Sequence, residues 1–89
     1  MPHRKQGSPY WYLRPVVTIP GRGRIRLPER SSGTKVHQAA KAMEATLQEL
    51  PMMGYVDLIE RYEAGELGPE ELHVAKINRR LDDVRRELE

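Results

Sequence analysis

Residues 8–27 read SPYWYLRPVVTIPGRGRIRL, and this stretch has the pattern of a two-stranded antiparallel hairpin. Aromatic and β-branched residues, which favour strands, dominate positions 10–19. Residues 20–23, Pro-Gly-Arg-Gly, have the composition of a turn. Residues 24–27 then alternate charged and apolar side chains, which is the period of a half-buried strand. The stretch therefore predicts two strands joined by a tight turn.

The remaining chain has helical patterns. Apolar residues recur at steps of three and four over residues 36–50, after Thr34 as a predicted N-cap and before Pro51 as the predicted end. Lys41, Glu44, Gln48 and Glu49 fall outside this apolar stripe and are expected on the solvent side. A shorter helix is predicted over residues 55–64. A third helix begins near Gly68-Pro69, because proline suits the first helical turn.

These elements predict an α+β fold. Residues 3–7 form either a frayed arm or a further strand. With that further strand, we expect a small three-stranded antiparallel sheet packed on one helix. Residues 1–50 would form this β-sheet-plus-helix domain, and residues 51–89 a helical connector or interaction extension.

Strand periodicity gives the hairpin two chemically different faces. Odd positions from Trp11 to Ile19 are apolar, and Ile25 and Leu27 continue that face, which the helix over residues 36–50 would cover. The other face is rich in tyrosine and arginine, with a further arginine at the turn. Its members are Tyr10, Tyr12, Arg14, Arg24, Arg26 and Arg30, with Arg22 at the turn. Glu29 falls on the opposite parity, so we expect no acid among them.

The charge distribution indicates what such a face could bind. The net charge is +2, but residues 1–50 carry nine Lys/Arg and three Glu, whereas residues 51–89 carry six Lys/Arg and ten Asp/Glu. A basic segment favours a polyanionic partner. The planar fork of arginine pairs bidentately with phosphate or with guanine, and a two-stranded ribbon fits the major groove of B-DNA. A solvated sheet face without a ligand is the alternative interpretation.

Several function classes are disfavoured. The 89 residues contain no cysteine, and the histidines at 3, 37 and 73 lack the short sequence spacing that is typical of metal ligands. No apolar run approaches the ~18–20 residues of a transmembrane helix, and the N-terminus lacks a signal-peptide core. We therefore expect a soluble, cytoplasmic protein that does not contact a membrane, with no catalytic residue, metal or cofactor.

Part of the chain resembles a known family. Residues 7–14 (GSPYWYLR), the turn, residues 24–26 (RIR) and residues 32–34 (SGT) running into an alanine-rich helix resemble the N-terminal DNA-binding domain of phage-type tyrosine recombinases, or integrases. The resemblance covers roughly residues 5–50, and residues 57–67 resemble the helical connector that follows that domain. The lengthened hairpin and the interrupting Pro28 depart from the family pattern.

The resemblance implies a three-stranded sheet on one helix that enters the major groove of accessory, or arm-type, DNA sites. It implies sequence-specific binding of double-stranded DNA by the tyrosine and arginine face. The family's catalytic domain has no counterpart in these 89 residues, so we expect a fragment of a recombinase that is not itself an enzyme. The alternative is a helical protein-interaction module whose basic sheet contacts RNA or another protein.

The predicted third helix has a second feature. Apolar residues recur at steps of three and four over about two heptads. The members of this seam are Val74, Ile77, Leu81, Val84 and Leu88. The seam could pack within the chain, pair with a second copy, or dock on the rest of a recombinase chain.

Overall fold

Strand-forming residues in the first third of the chain build two small antiparallel sheets, and helices follow. The computed structural model describes residues 2–88. The strands are β1 (His3–Arg4), β2 (Trp11–Leu13), β3 (Val16–Ile19), β4 (Gly23–Arg26) and β5 (Arg30–Ser31). The helices are α1 (His37–Met52), α2 (Val56–Glu63) and α3 (Leu72–Leu88), the last preceded by a 3₁₀ turn, Pro69–Glu71. The predicted α+β class is confirmed.

The sheets are successive parts of one long ribbon. β1, β2 and β5 form a three-stranded sheet in the order β1-β2-β5, and β3 pairs with β4. The chain therefore runs up through β2 and β3 and returns through β4 and β5. The ribbon is interrupted at Arg14-Pro15 on one strand and at residues 27–29 on the other. Proline at 15 and 28 contributes to both interruptions, because it has no N–H for a ladder.

The predicted turn lies at the tip of the ribbon. The backbone N–H of Arg22 donates to the Ile19 carbonyl at 3.0 Å, which closes a four-residue turn. Pro20 occupies its second position and Gly21, with φ +85°, its third. This is the residue pattern of a type II turn, whose third position requires a positive φ.

The apolar face of the ribbon lies as predicted against α1. Leu13, Val17 and Ile19 are buried, and α1 packs on both β2 and β3. Trp11 is only half-buried, because it lies at the start of α1, where its Nε1–H donates to the Lys35 carbonyl at 3.1 Å. The core is one cluster that draws on residues from both sides of position 50. Its members are Leu13, Val17, Ile19, Leu27, Ala40, Leu47, Leu50, Tyr55, Leu58, Ile59, Tyr62, Leu67 and Leu72.

Three details of α1 differ from the sequence-based expectation. Its N-cap is Val36, not Thr34, and the Thr34 hydroxyl accepts a hydrogen bond from the Val36 N–H at 3.1 Å. Pro51 lies buried inside the helix and does not end it. Glu44, expected on the solvent side, is only 6% exposed, and its Oε2 accepts from the Arg14 N–H at 3.1 Å. That N–H lies where the ribbon is interrupted, so a side chain replaces a strand partner.

The Tyr62 side chain on α2 is fully buried, and its hydroxyl has no hydrogen-bond partner among residues 2–88. Burial raises the pKa of Tyr62 from 10.0 to about 12. The folded state therefore holds this proton more tightly than the unfolded state, and stability falls as pH rises from the unfolded pKa towards the folded one.

Tyr62→Phe is expected to raise the free energy of unfolding by about 1 kcal/mol at neutral pH, because an unpaired buried hydroxyl is removed. It should also reduce the loss of stability above pH 10, the pKa of an unperturbed tyrosine. Denaturant unfolding at neutral and alkaline pH measures both effects. Tyr10→Phe, at an exposed tyrosine, is the control and should change neither.

Candidate nucleic-acid interface

The outward side of the β3–β4 pair carries two neighbouring arginines. Arg26 pairs in register with Val16, and Arg24 with Thr18, so these four side chains share one face of the sheet. We call this set of four residues the outer ribbon face. Arg24 and Arg26 are exposed, and neither forms an ion pair with any acid in the part of the chain that the structure describes. Both guanidinium groups are therefore available to an external anion.

Arg22 lies at the tip of the ribbon, beside the outer ribbon face. Its Nη1 lies 3.6 Å from Glu63 Oε1 at the end of α2. Both side chains are partly exposed, and exposed pairs of this kind contribute little stability. A phosphate group could therefore replace this carboxylate as the partner of Arg22 at small cost.

A second cluster of charges lies on the three-stranded sheet, where Arg14 contacts an acid. Arg14 Nε lies 3.0 Å from Glu29 Oε2, and the same carboxylate contacts His3 and Lys5. The expectation that no acid belongs to the basic surface is therefore wrong. The hydrogen bond from Lys5 is the main reason that the pKa of Glu29 is lowered. Glu29 thus stays anionic and offsets part of the local positive charge.

The two predicted tyrosines lie before and within β2. Tyr10 is 40% exposed and precedes the strand. Tyr12 is half-buried, pairs in register with His3 and Ser31, and has the Lys5 ammonium 4.6 Å from the centre of its ring. Tyr12 therefore belongs to the charge cluster around Glu29, and the Lys5 ammonium already covers part of its ring.

Arg30 does not lie on the predicted face. It pairs in register with Leu13, so its side chain shares the inner face of the sheet. Its Nη2 donates to the carbonyls of Tyr62 at 2.8 Å and Glu63 at 3.4 Å, and its guanidinium carbon lies 5.1 Å from the centre of the Tyr62 ring. These carbonyls belong to the last turn of α2, where a cation is favourable.

An extra residue explains the error. Between the pairs Leu13–Arg30 and Val16–Arg26, the first strand has residues 14–15 and the second has residues 27–29. One additional residue on the returning strand reverses the direction of every side chain beyond it, as in a β-bulge. This places Arg30 inside and brings Glu29 to the basic surface.

The N-terminal strand, one of the two alternatives expected for residues 3–7, adds side chains that the predicted set of site residues did not include. β1 brings His3 to Tyr12 and Arg4 to Trp11, and the Arg4 guanidinium carbon lies 5.6 Å from the centre of the indole ring. The only signal in the sequence was the basic run at positions 3–5. Strand pairing, which places these cations beside β2, was not readable from that run.

Within residues 2–88, no helix is long and apolar enough to cross a membrane, and no three His, Asp or Glu side chains are grouped as metal ligands. The chain was compared with models of protein families, with curated proteins and with solved structures. None of the three comparisons found a match.

Proposed function

We propose that this protein binds double-stranded DNA through the outer ribbon face. The proposal depends on one observation about Arg24 and Arg26. Both side chains are exposed on the same side of a two-stranded ribbon, and neither has an acidic partner within residues 2–88. Like charges that share a sheet face repel each other, and a bound polyanion relieves that repulsion. The exposed Arg22 at the tip extends the positive surface.

The shape of the ribbon favours the major groove as its site. A two-stranded ribbon fits a groove about 12 Å wide, and arginine pairs bidentately with O6 and N7 of guanine. Arg24 and Arg26 lie along the ribbon and would meet base edges. Arg22, at the tip, and Arg14, where the ribbon is interrupted, would lie nearer the phosphates and set the position of the protein.

The resemblance to tyrosine recombinases gives this proposal a biological setting. The α+β architecture, with a three-stranded antiparallel sheet against α1, agrees with the fold that the resemblance implies. We therefore propose the role of an accessory-site DNA-binding domain in a site-specific recombinase. No catalytic residue is assigned to this chain. The inward position of Arg30 removes one expected DNA contact and leaves Arg24 and Arg26 as the main candidates.

Single substitutions test the proposal on a duplex selected from a randomised library and on a scrambled duplex. Arg24→Ala or Arg26→Ala is expected to weaken binding to the selected duplex by about 1–3 kcal/mol, with a smaller loss on the scrambled one. Arg22→Ala should weaken binding to both duplexes equally. It should also reduce, by about one, the steepness with which the logarithm of the binding constant falls against the logarithm of the salt concentration. Competition titration over a range of salt concentrations measures all three.

Arg86→Ala is the matched control, because it removes the same charge from an exposed position on α3. It should change binding little. The proposal fails if Arg86→Ala weakens binding as much as Arg24→Ala, since only net charge would then matter. Tighter binding to single-stranded RNA of the same sequence would favour the alternative of an RNA-contacting sheet.

A further inference from the structure

Helix α3 directs its polar side towards the protein. Arg79 forms a two-point ion pair with Asp57 of α2, in which Nη1 donates to Oδ1 at 2.8 Å. The Tyr55 hydroxyl donates to Asp83 Oδ2 at 2.6 Å, and the guanidinium carbon of Arg79 lies 5.4 Å from the centre of the Tyr55 ring. Together with the buried Leu72 at its first turn, these contacts hold α3 against α1 and α2.

The apolar seam of α3 is left on the opposite side. Its five residues are each between 43% and 82% exposed, so the seam does not pack against the rest of residues 2–88. They are Val74, Ile77, Leu81, Val84 and Leu88. An amphipathic helix ordinarily buries its apolar side, and a contiguous exposed apolar patch marks an interaction surface. In α3 the buried Leu72, the partly buried Ala75 and the polar side chains of Lys76, Arg79 and Asp83 face the protein, and the apolar seam is presented to solvent.

We propose that this seam binds the seam of a second copy of the chain, with the two α3 helices antiparallel. In heptad terms Val74, Leu81 and Leu88 take a positions and Ile77 and Val84 take d positions. Arg80 and Glu87 then flank the seam at g positions, with Arg85 on the other flank at e.

The flanking charges select the antiparallel arrangement. In a parallel pair a g residue meets the next e residue of the partner helix, which would place Arg80 against Arg85 of the second copy twice. In an antiparallel pair g residues meet g residues. The register that packs Leu81 on Val84 of the second copy places Arg80 beside Glu87 of that copy. The symmetry of a dimer repeats this opposite-charge contact, so the surface is complementary to itself.

Because α3 is held against the rest of the protein, a seam of two heptads is long enough to form a dimer. Two heptads of isolated helix are marginal in water, because helix formation is costly for a short segment. In this chain the buried Leu72 and the partly buried Ala75 pack α3 on the core, and Lys76 and Arg79 pair with Glu49 and Asp57, so α3 is already ordered before it meets a partner. Ordering the interface in advance lowers the entropic cost of association.

Analytical ultracentrifugation without nucleic acid tests the proposal independently of any DNA-binding function. The unmodified chain should sediment as a concentration-dependent dimer, and Leu81→Asp should raise the dimer dissociation constant at least about a hundredfold. Because Leu81 is 52% exposed in the single chain, its substitution should leave the helical circular dichroism unchanged. Val36→Asp, at a residue 59% exposed at the N-terminus of α1 and outside the seam, is the matched control and should still dimerise.

Charge exchange tests the orientation. In the antiparallel dimer Arg80→Glu and Glu87→Arg should each weaken association about tenfold or less, and the double variant should restore it. In a parallel dimer Arg80→Glu would instead strengthen association by removing the repulsion from Arg85. A stronger dimer with Arg80→Glu overturns the antiparallel arrangement. An unmodified chain that remains monomeric up to about 1 mM overturns the proposal as a whole.

Discussion

Leu13→Ala is expected to lower the free energy of unfolding by about 3–5 kcal/mol. Leu13 is fully buried in β2, within the core beneath α1, and the smaller side chain would leave a cavity there. A small domain has a total stability of only about 5–15 kcal/mol, so this single change removes a large part of it. Denaturant unfolding followed by circular dichroism measures the difference.

The control for this prediction is Met52→Ala, which truncates a side chain that is 85% exposed on α1. Its effect should stay within about 0.5 kcal/mol. Equal effects of the two substitutions would mean that Leu13 does not face the core. Since Val17 and Ile19 share its parity, the assignment of the whole inner face, and with it the outward position of Arg24 and Arg26, would then be wrong.

The inner face was predictable because alternation along a strand depends only on local geometry. Leu13, Val17 and Ile19 are separated by even steps and all lie inside. The turn was predictable for the same reason, since Pro20-Gly21 favours one turn type by its own backbone preferences. Local preferences were therefore sufficient for residues 11–26, which contain β2, β3, the turn and β4.

Parity failed where the count of residues on the two strands differs. Arg24 and Arg26 precede the extra residue and lie outside as predicted, whereas Arg30 follows it and lies inside. Pro28 indicated that the second strand was interrupted, but a proline does not reveal how many residues the interruption contains. That number decides on which face of the sheet every later side chain lies.

Long-range contacts account for the other differences. Glu44 has the helical spacing of a solvent-side residue, yet it is buried because the Arg14 N–H needs an acceptor where the ribbon is interrupted. Similarly, the seam on α3 has the pattern of a core-facing stripe, but the helix packs with its other side inward, through Leu72 and Ala75 and through the ion pairs of Lys76 and Arg79. Neither arrangement is encoded by spacing within one element.

Arg30 and Arg24 should respond to substitution in opposite ways, because Arg30 lies inside the fold and Arg24 is exposed. Arg30→Ala is expected to lower the free energy of unfolding by about 1–3 kcal/mol, because it removes the guanidinium donor to the part-buried carbonyls of Tyr62 and Glu63, of which the Tyr62 carbonyl keeps the Gly65 N–H as its second donor. It also removes the contact of the guanidinium with the Tyr62 ring. Arg24→Ala, at an exposed position that has no ion pair within residues 2–88, should change stability by less than about 0.5 kcal/mol.

Measuring unfolding and DNA binding on the same two variants separates a structural arginine from a binding one. Under conditions in which both variants are folded, Arg30→Ala should bind a selected duplex nearly as tightly as the unmodified chain, whereas Arg24→Ala should lose about 1–3 kcal/mol of binding. If Arg30→Ala is as stable as the unmodified chain and loses DNA affinity, Arg30 points outward and the ribbon has no extra residue at positions 27–29. If both variants lose stability, Arg24 has a partner within the fold. In that case the outer ribbon face would lose one of the two arginines on which the DNA-binding proposal depends.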